Sequence, residues 1–89
     1  MMKQALGMIE TRSLVAAIQA ADTMAKSADV KIVDLNYVGS GIISVIVSGE
    51  VAAVQAAVAN GRETAEELAE IISTNVIPRP HEEVGKILD

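Results

Sequence analysis

The strongest constraint on this chain is the order in which its hydrophobic period changes. Residues 4–10 (QALGMIE) are a short apolar run and read as a strand. The spacing then changes. Leu14, Ala17, Ile18, Ala21, Ala25 and Ala28 recur at steps of three and four, which predicts an amphipathic helix over 12–28. Thr11 or Ser13 can cap its start. Asp22 and Lys26 stand four apart with the acid first, a surface pair that contributes about 0.2–0.5 kcal/mol. Residues 30–38 (VKIVDLNYV) are rich in β-branched side chains and predict a second strand. Their alternation slips phase at Val33 and Asp34, which predicts a bulge. Gly39-Ser40-Gly41 then links to a third strand, Ile42 to Ser48, as an antiparallel hairpin.

Ser48 is positioned to cap a second helix, with Glu50 near its positive end. Val51, Val54, Ala57 and Val58 form its apolar stripe, and Ala65, Leu68 and Ala69 continue the spacing. One helix over 49–68 is expected, with Gly61 tolerated inside it at about 1 kcal/mol relative to Ala. Residues 70–77 (EIISTNVI) read as the last strand, stopped by Pro78 and Pro80. Residues 81–87 read as a short helical turn.

The order is β-α-β-β-α-β, so the expected class is α+β and ferredoxin-like. That is a four-stranded antiparallel sheet with two helices on one face and a short C-terminal helix. All of 1–89 is read as a single domain. A chain of 89 residues buries only roughly 60–65% of its unfolded surface. Its apolar share is 51%, mostly Ala, Val and Ile, with Tyr37 the single aromatic and no cysteine. Neither large aromatic anchors nor disulfides can offset the shortfall, so association with further copies of the chain is expected.

The same arithmetic narrows function. Twelve acidic residues oppose seven basic ones, for a net charge of −5. Lys3, Arg12, Lys26, Lys31, Arg62, Arg79 and Lys86 are dispersed and have no aromatic stacking platform, which argues against nucleic acid as a partner. Without cysteine, and with His81 the only histidine, neither a metal site nor a cofactor is expected. No signal peptide and no membrane-spanning segment is read, so a cytoplasmic chain with no membrane partner is expected. No catalytic residue is identified. Ser40 has no triad partner, and Glu63, Glu66, Glu67 and Glu70 read as a solvated helix face.

Three segments together resemble a known family: ALGMIET at 5–11, GSG at 39–41 and NVIPRPH at 75–81, with Lys26 between the first two. They are similar to the hexameric, single-domain shell proteins of bacterial microcompartments, in particular the major subunits of diol- or amine-degrading metabolosomes. Ser13 stands where Gly is usual, and Asp34 replaces a common Gly. Tyr37 stands where a charged or amide side chain is more typical, and Arg62 to Thr64 interrupt a small, Ala-rich stretch.

The resemblance implies a homo-hexamer that tiles with neighbouring hexamers and other shell proteins into facets enclosing enzymes. By the residues alone, Gly39-Ser40-Gly41 is an ordinary hairpin turn. The resemblance implies that it lines a central pore, with Tyr37 flanking it, where a polar uncharged ring would pass small polar or anionic metabolites. By the residues alone, Lys26 is a solvated helix-end lysine, Arg79 a loop arginine, Pro78-Arg79-Pro80 a rigid chain exit and His81 merely exposed. The resemblance places all five at the edge between hexamers. A small-molecule-sensing regulatory module is the alternative, and a small enzyme on the same fold a third reading.

Overall fold

The computed structural model describes residues 4–27 and 29–88, so Lys3 and Ala28 lie outside the described residues. The elements are β1 (Ala5–Thr11), α1 (Leu14–Ser27), β2 (Val30–Gly39), β3 (Ile42–Gly49), α2 (Val51–Ala65), β4 (Ile71–Ile77) and α3 (Glu82–Leu88). The four strands form one sheet in the order β2-β3-β1-β4, every neighbouring pair antiparallel. The expected α+β order is therefore the observed one. Alternation sends Ala5, Gly7, Ile9 and Thr11 of β1 toward the helices, with Ile43, Val45 and Val47 of β3 beside them. The predicted bulge is present: the β2–β3 register shifts between Ile32 and Asp34, and again between Tyr37 and Gly39.

Ser13 is the cap that starts α1. Its Oγ accepts the Ala16 backbone N–H at 3.1 Å, satisfying a donor that the first turn leaves free. Thr11 does other work: its hydroxyl donates to the Glu70 carbonyl at 3.0 Å and ties the end of β1 to the approach to β4. Ser13→Ala is expected to cost about 1 kcal/mol. A fall in the urea midpoint at fixed protein concentration checks this, and an unchanged midpoint would exclude Ser13 as the cap.

Three expectations are corrected. Ser48 does not cap α2; it pairs with Leu6 and Lys31 inside the ladder, and Glu50 occupies the cap position without a side-chain cap bond. Second, α2 ends at Ala65, not near 68. Ala65 is its last buried residue, and its carbonyl accepts the Leu68 and Ala69 N–H groups in a tight turn that swings the chain into β4. Leu68 is exposed.

The third correction concerns the face of α1. The buried residues are Ala16, Ala17, Ala20 and Met24, while Leu14, Val15 and Ile18 are 44%, 65% and 54% exposed. Among the described residues of the expected stripe, only Ala17 is fully buried. The reason is close approach. Gly61 of α2 faces this side of α1, and a Cβ built there would lie 2.7 Å from Met24 Cγ and 3.3 Å from the Ala20 carbonyl oxygen. Ala16, Ala17 and Ala20 fit where α1 meets α2 and the sheet, and the flexible Met24 fills the space opposite Gly61. The two helices are also joined by the Thr23 and Thr64 hydroxyls at 2.9 Å, and Gln19 Nε2 donates to Thr23 Oγ1 at 3.1 Å. Thr64, one of the departures from the family pattern, thus has a packing role.

Candidate functional site

The register places the two groups of candidate residues at opposite ends of the sheet. Ala5 pairs with Gly49 and Val30 with Gly49, while Leu6 pairs with Ile77. The end of α1, the start of α2 and the exit of β4 therefore lie together at one end. The hairpin between β2 and β3 lies at the other, beside Thr11 and the start of β4.

At the hairpin end, Ser40 and Gly41 are the two central residues of the turn, with φ of 55° and 77°. Positive φ at both positions is the type I′ pattern, whose twist matches that of the flanking strands. Gly39 has φ 129° beside the second register shift. Glycine adopts these angles without penalty, whereas Ser40 holds a left-handed conformation that favours glycine. A side chain at the tip is thus retained against a backbone preference. Gly39, Ser40 and Gly41 are all exposed, and a Cβ added at either glycine would meet nothing within 4 Å. Tyr37 pairs with Ile43, so it shares the helix-side face of β2, yet β2 overhangs the helix layer and Tyr37 is 65% exposed.

At the opposite end, Lys26 sits in the last turn of α1. Its Nζ lies 2.9 Å from Asp22 Oδ2, the predicted i,i+4 pair, with both side chains largely exposed. Arg79 is exposed and lines a groove of about 410 Å³ with Gln4, Gly49, Glu50 and Pro78. Pro80 is buried, whereas Pro78 and His81 are exposed. His81 starts α3: its Nδ1 accepts the Glu83 N–H at 3.1 Å and its carbonyl accepts the Val84 N–H at 2.9 Å. That capping contact fixes the path of the chain immediately after Arg79 and Pro80.

The residues that sequence reasoning missed are the large apolar side chains left outside. Leu14, Val15 and Ile18 of α1 are exposed, as are Ile32 and Leu35 of the neighbouring strand β2. The available signal was that α1 is apolar around most of its circumference, more than one core-facing stripe requires.

The BMC domain model matches residues 5–80. Over 88 residues the chain is 51% identical to the bacterial microcompartment shell protein PduA of Citrobacter freundii, covering 99% of this chain and 95% of that one. It is 46% identical to the bacterial microcompartment shell protein EutM of Salmonella typhimurium, covering 94% and 88%. It is 48% identical to the carboxysome shell protein CsoS1A of Hydrogenovibrio crunogenus, covering 94% and 88%. The crystal structure of a microcompartment protein from Desulfitobacterium hafniense superposes with a TM-score of 0.86 at 30% identity. It covers 98% of this chain and 47% of that one, so this chain spans about half its length.

Proposed function

This chain belongs to the BMC domain family, and on that premise we propose how it works as a shell subunit of a bacterial microcompartment. The observation that carries the reading is the 51% identity to a microcompartment shell protein across 99% of the chain. The subunit assembles with other shell proteins, and its place is the shell. None of the relatives named above is a regulatory module, and all three are named as shell proteins.

Six copies close into a ring. The hairpin end of each subunit points to the axis, and the end carrying Lys26 and Arg79 points outward to the next ring. That arrangement uses the opposite placement of the two residue groups, and it follows the closed cyclic symmetry usual for identical subunits. The exposed Leu14, Val15 and Ile18 of α1, with Ile32 and Leu35 of β2, are buried between neighbouring copies. Full burial of one such side chain contributes about 1.5–3 kcal/mol, repeated at every interface of the ring. This supplies the burial that a chain of this size lacks alone.

Around the axis, six copies of Gly39-Ser40-Gly41 form a narrow pore. The Ser40 hydroxyls and backbone N–H groups exchange protein contacts for the water lost by small polar metabolites in transit. The rings tile into facets around the enclosed enzymes, and the subunit has no catalytic role.

Native mass spectrometry tests the ring directly, with an expected mass six times that of the 9.3 kDa chain. Ile18→Glu places an unpaired carboxylate in the subunit interface and is expected to shift that mass toward the single chain. The side chain is exposed in the subunit, so circular dichroism should show the fold retained. A monomeric wild type, or an Ile18→Glu ring as stable as the parent, would remove this reading.

A further inference from the structure

The chain has one aromatic side chain, and it stands beside the turn assigned to the pore. We propose that Tyr37 is a specificity residue: six Tyr37 rings at the pore mouth favour small organic cations, of the alkylammonium class, over anions of similar size. The proposal rests on the ring and pore of the preceding subsection and names the class of metabolite they pass.

Three observations support it. Tyr37 is 65% exposed and three residues from Ser40, so its ring is available to a solute at the turn. An aromatic face carries a negative quadrupole that attracts ammonium groups, and that attraction is needed where no fixed charge competes. Residues 35–49, the end of β2, the turn and all of β3, carry no charged side chain. No lysine or arginine therefore lies within residues 35–49 to recruit an anion, and Lys31 stands at the far end of β2.

More distant charges do not reverse this. Arg12 directly follows Thr11, whose partner on β3 is Ile43, so it stands about 5 Å from β3 and about 10 Å from β2. Asp34 on β2 is only three residues from Tyr37. Glu66, Glu67 and Glu70 lie at the same end of the sheet but beside β4, about 15 Å from β2. The separations from β2 exceed the screening length of about 8 Å at physiological salt, and the charged residue nearest Tyr37 along β2 is the Asp34 carboxylate. What remains of the field follows the chain's net charge of −5, which also favours cations.

Tyr37 supplies all the aromatic emission of the chain, so wild-type fluorescence reports on this position without a label. Tetramethylammonium chloride is titrated against the intact ring, with sodium chloride at equal ionic strength and tert-butanol as controls. A saturable change with tetramethylammonium alone is expected. In planar bilayers holding the ring under a tetramethylammonium chloride gradient, the reversal potential should show cation preference. Tyr37→Leu should lower the cation-to-chloride permeability ratio about threefold, and Tyr37→Lys should invert it. Native mass spectrometry accompanies each measurement. An intact hexamer with no specific emission change, or with the same permeability ratio in Tyr37→Leu, overturns the assignment of Tyr37 and leaves the ring standing. Absence of a hexamer in the wild type overturns the ring itself, and the proposal with it.

Discussion

Lys26→Ala and Arg79→Ala are each expected to leave the proposed hexamer intact and to abolish its assembly into extended sheets. Neither side chain supports the subunit. Among the described residues Lys26 pairs only with Asp22, on an exposed helix face, a contact that contributes about 0.2–0.5 kcal/mol. Arg79 is exposed and makes no ion pair among the described residues. Removing either should change subunit stability by no more than about 0.5 kcal/mol. In the proposed arrangement the effect between rings is larger, because every edge of a tiled hexamer would repeat the same contact. The guanidinium offers five donors in a fixed fork, a geometry suited to carbonyl groups across an edge. In the proposed edge contact the exposed lysine stem would lie along the neighbouring ring and its ammonium group would reach acceptors there. Native mass spectrometry checks the ring and negative-stain electron microscopy the sheets. Extended sheets from either variant would show that this end of the subunit does not form the edge.

Gly7→Ala should produce the largest loss of stability from a single methyl group. A Cβ at Gly7 would lie 2.6 Å from Val58 Cγ2, 2.7 Å from Val54 Cγ1 and 3.2 Å from Val47 Cγ2. Val54 and Val47 are fully buried and Val58 nearly so, and β-branched side chains have few alternative rotamers. Replacing glycine in a strand would by itself gain roughly 0.5–1 kcal/mol. Overpacking costs about 1–3 kcal/mol, and each valine forced off its rotamer adds about 0.5–1.5 kcal/mol. The clash therefore wins, by about 2 kcal/mol. Gly61→Ala is an internal comparison. Its Cβ would meet the flexible Met24 side chain at 2.7 Å and Ile9 Cδ1 at 3.0 Å. The helix-propensity gain of about 1 kcal/mol offsets much of that cost. Urea midpoints at one protein concentration should therefore rank wild type above Gly61→Ala, and Gly61→Ala above Gly7→Ala. A Gly7→Ala variant as stable as wild type would mean that α2 does not approach β1 as closely as these distances require.

The fold was legible because each element carries its own local signal. The alternation of β3, the β-branched content of β2 and the prolines after β4 act over a few residues, and their order alone selects the sheet topology. Even the bulge at Ile32–Asp34 left a trace, as a phase slip in the alternation. Ser48 was misread for the converse reason. A serine before an apolar helical run looks like a cap, but the ladder to Leu6 and Lys31 continues past it. Local chemistry permitted both roles, and partners more than fifteen residues away chose between them.

The candidate site divides along the same line. Gly39-Ser40-Gly41, Lys26 and the Pro78–Pro80 segment were visible in sequence as a turn, a helix end and a chain exit because these have fixed residue preferences, while the family resemblance alone suggested their roles. The exposed apolar surface of α1 was not visible in that way. Helical spacing predicts one apolar stripe through Leu14, Ala17 and Ile18, whereas the buried side runs through Ala16, Ala17, Ala20 and Met24. The larger residues, Leu14 and Ile18, were the natural choice for a core, yet the close approach of α2 at Gly61 admits only Ala16, Ala17, Ala20 and Met24.

The sequence by itself thus determined the order of elements, the hairpin turn and the residues at the chain exit, because these depend on neighbours along the chain. Only the tertiary structure decided that the turn and the exit stand at opposite ends of one sheet, and that the small face of α1 is buried while its large face is left outside. Both depend on distances between segments far apart in sequence, which no local periodicity encodes.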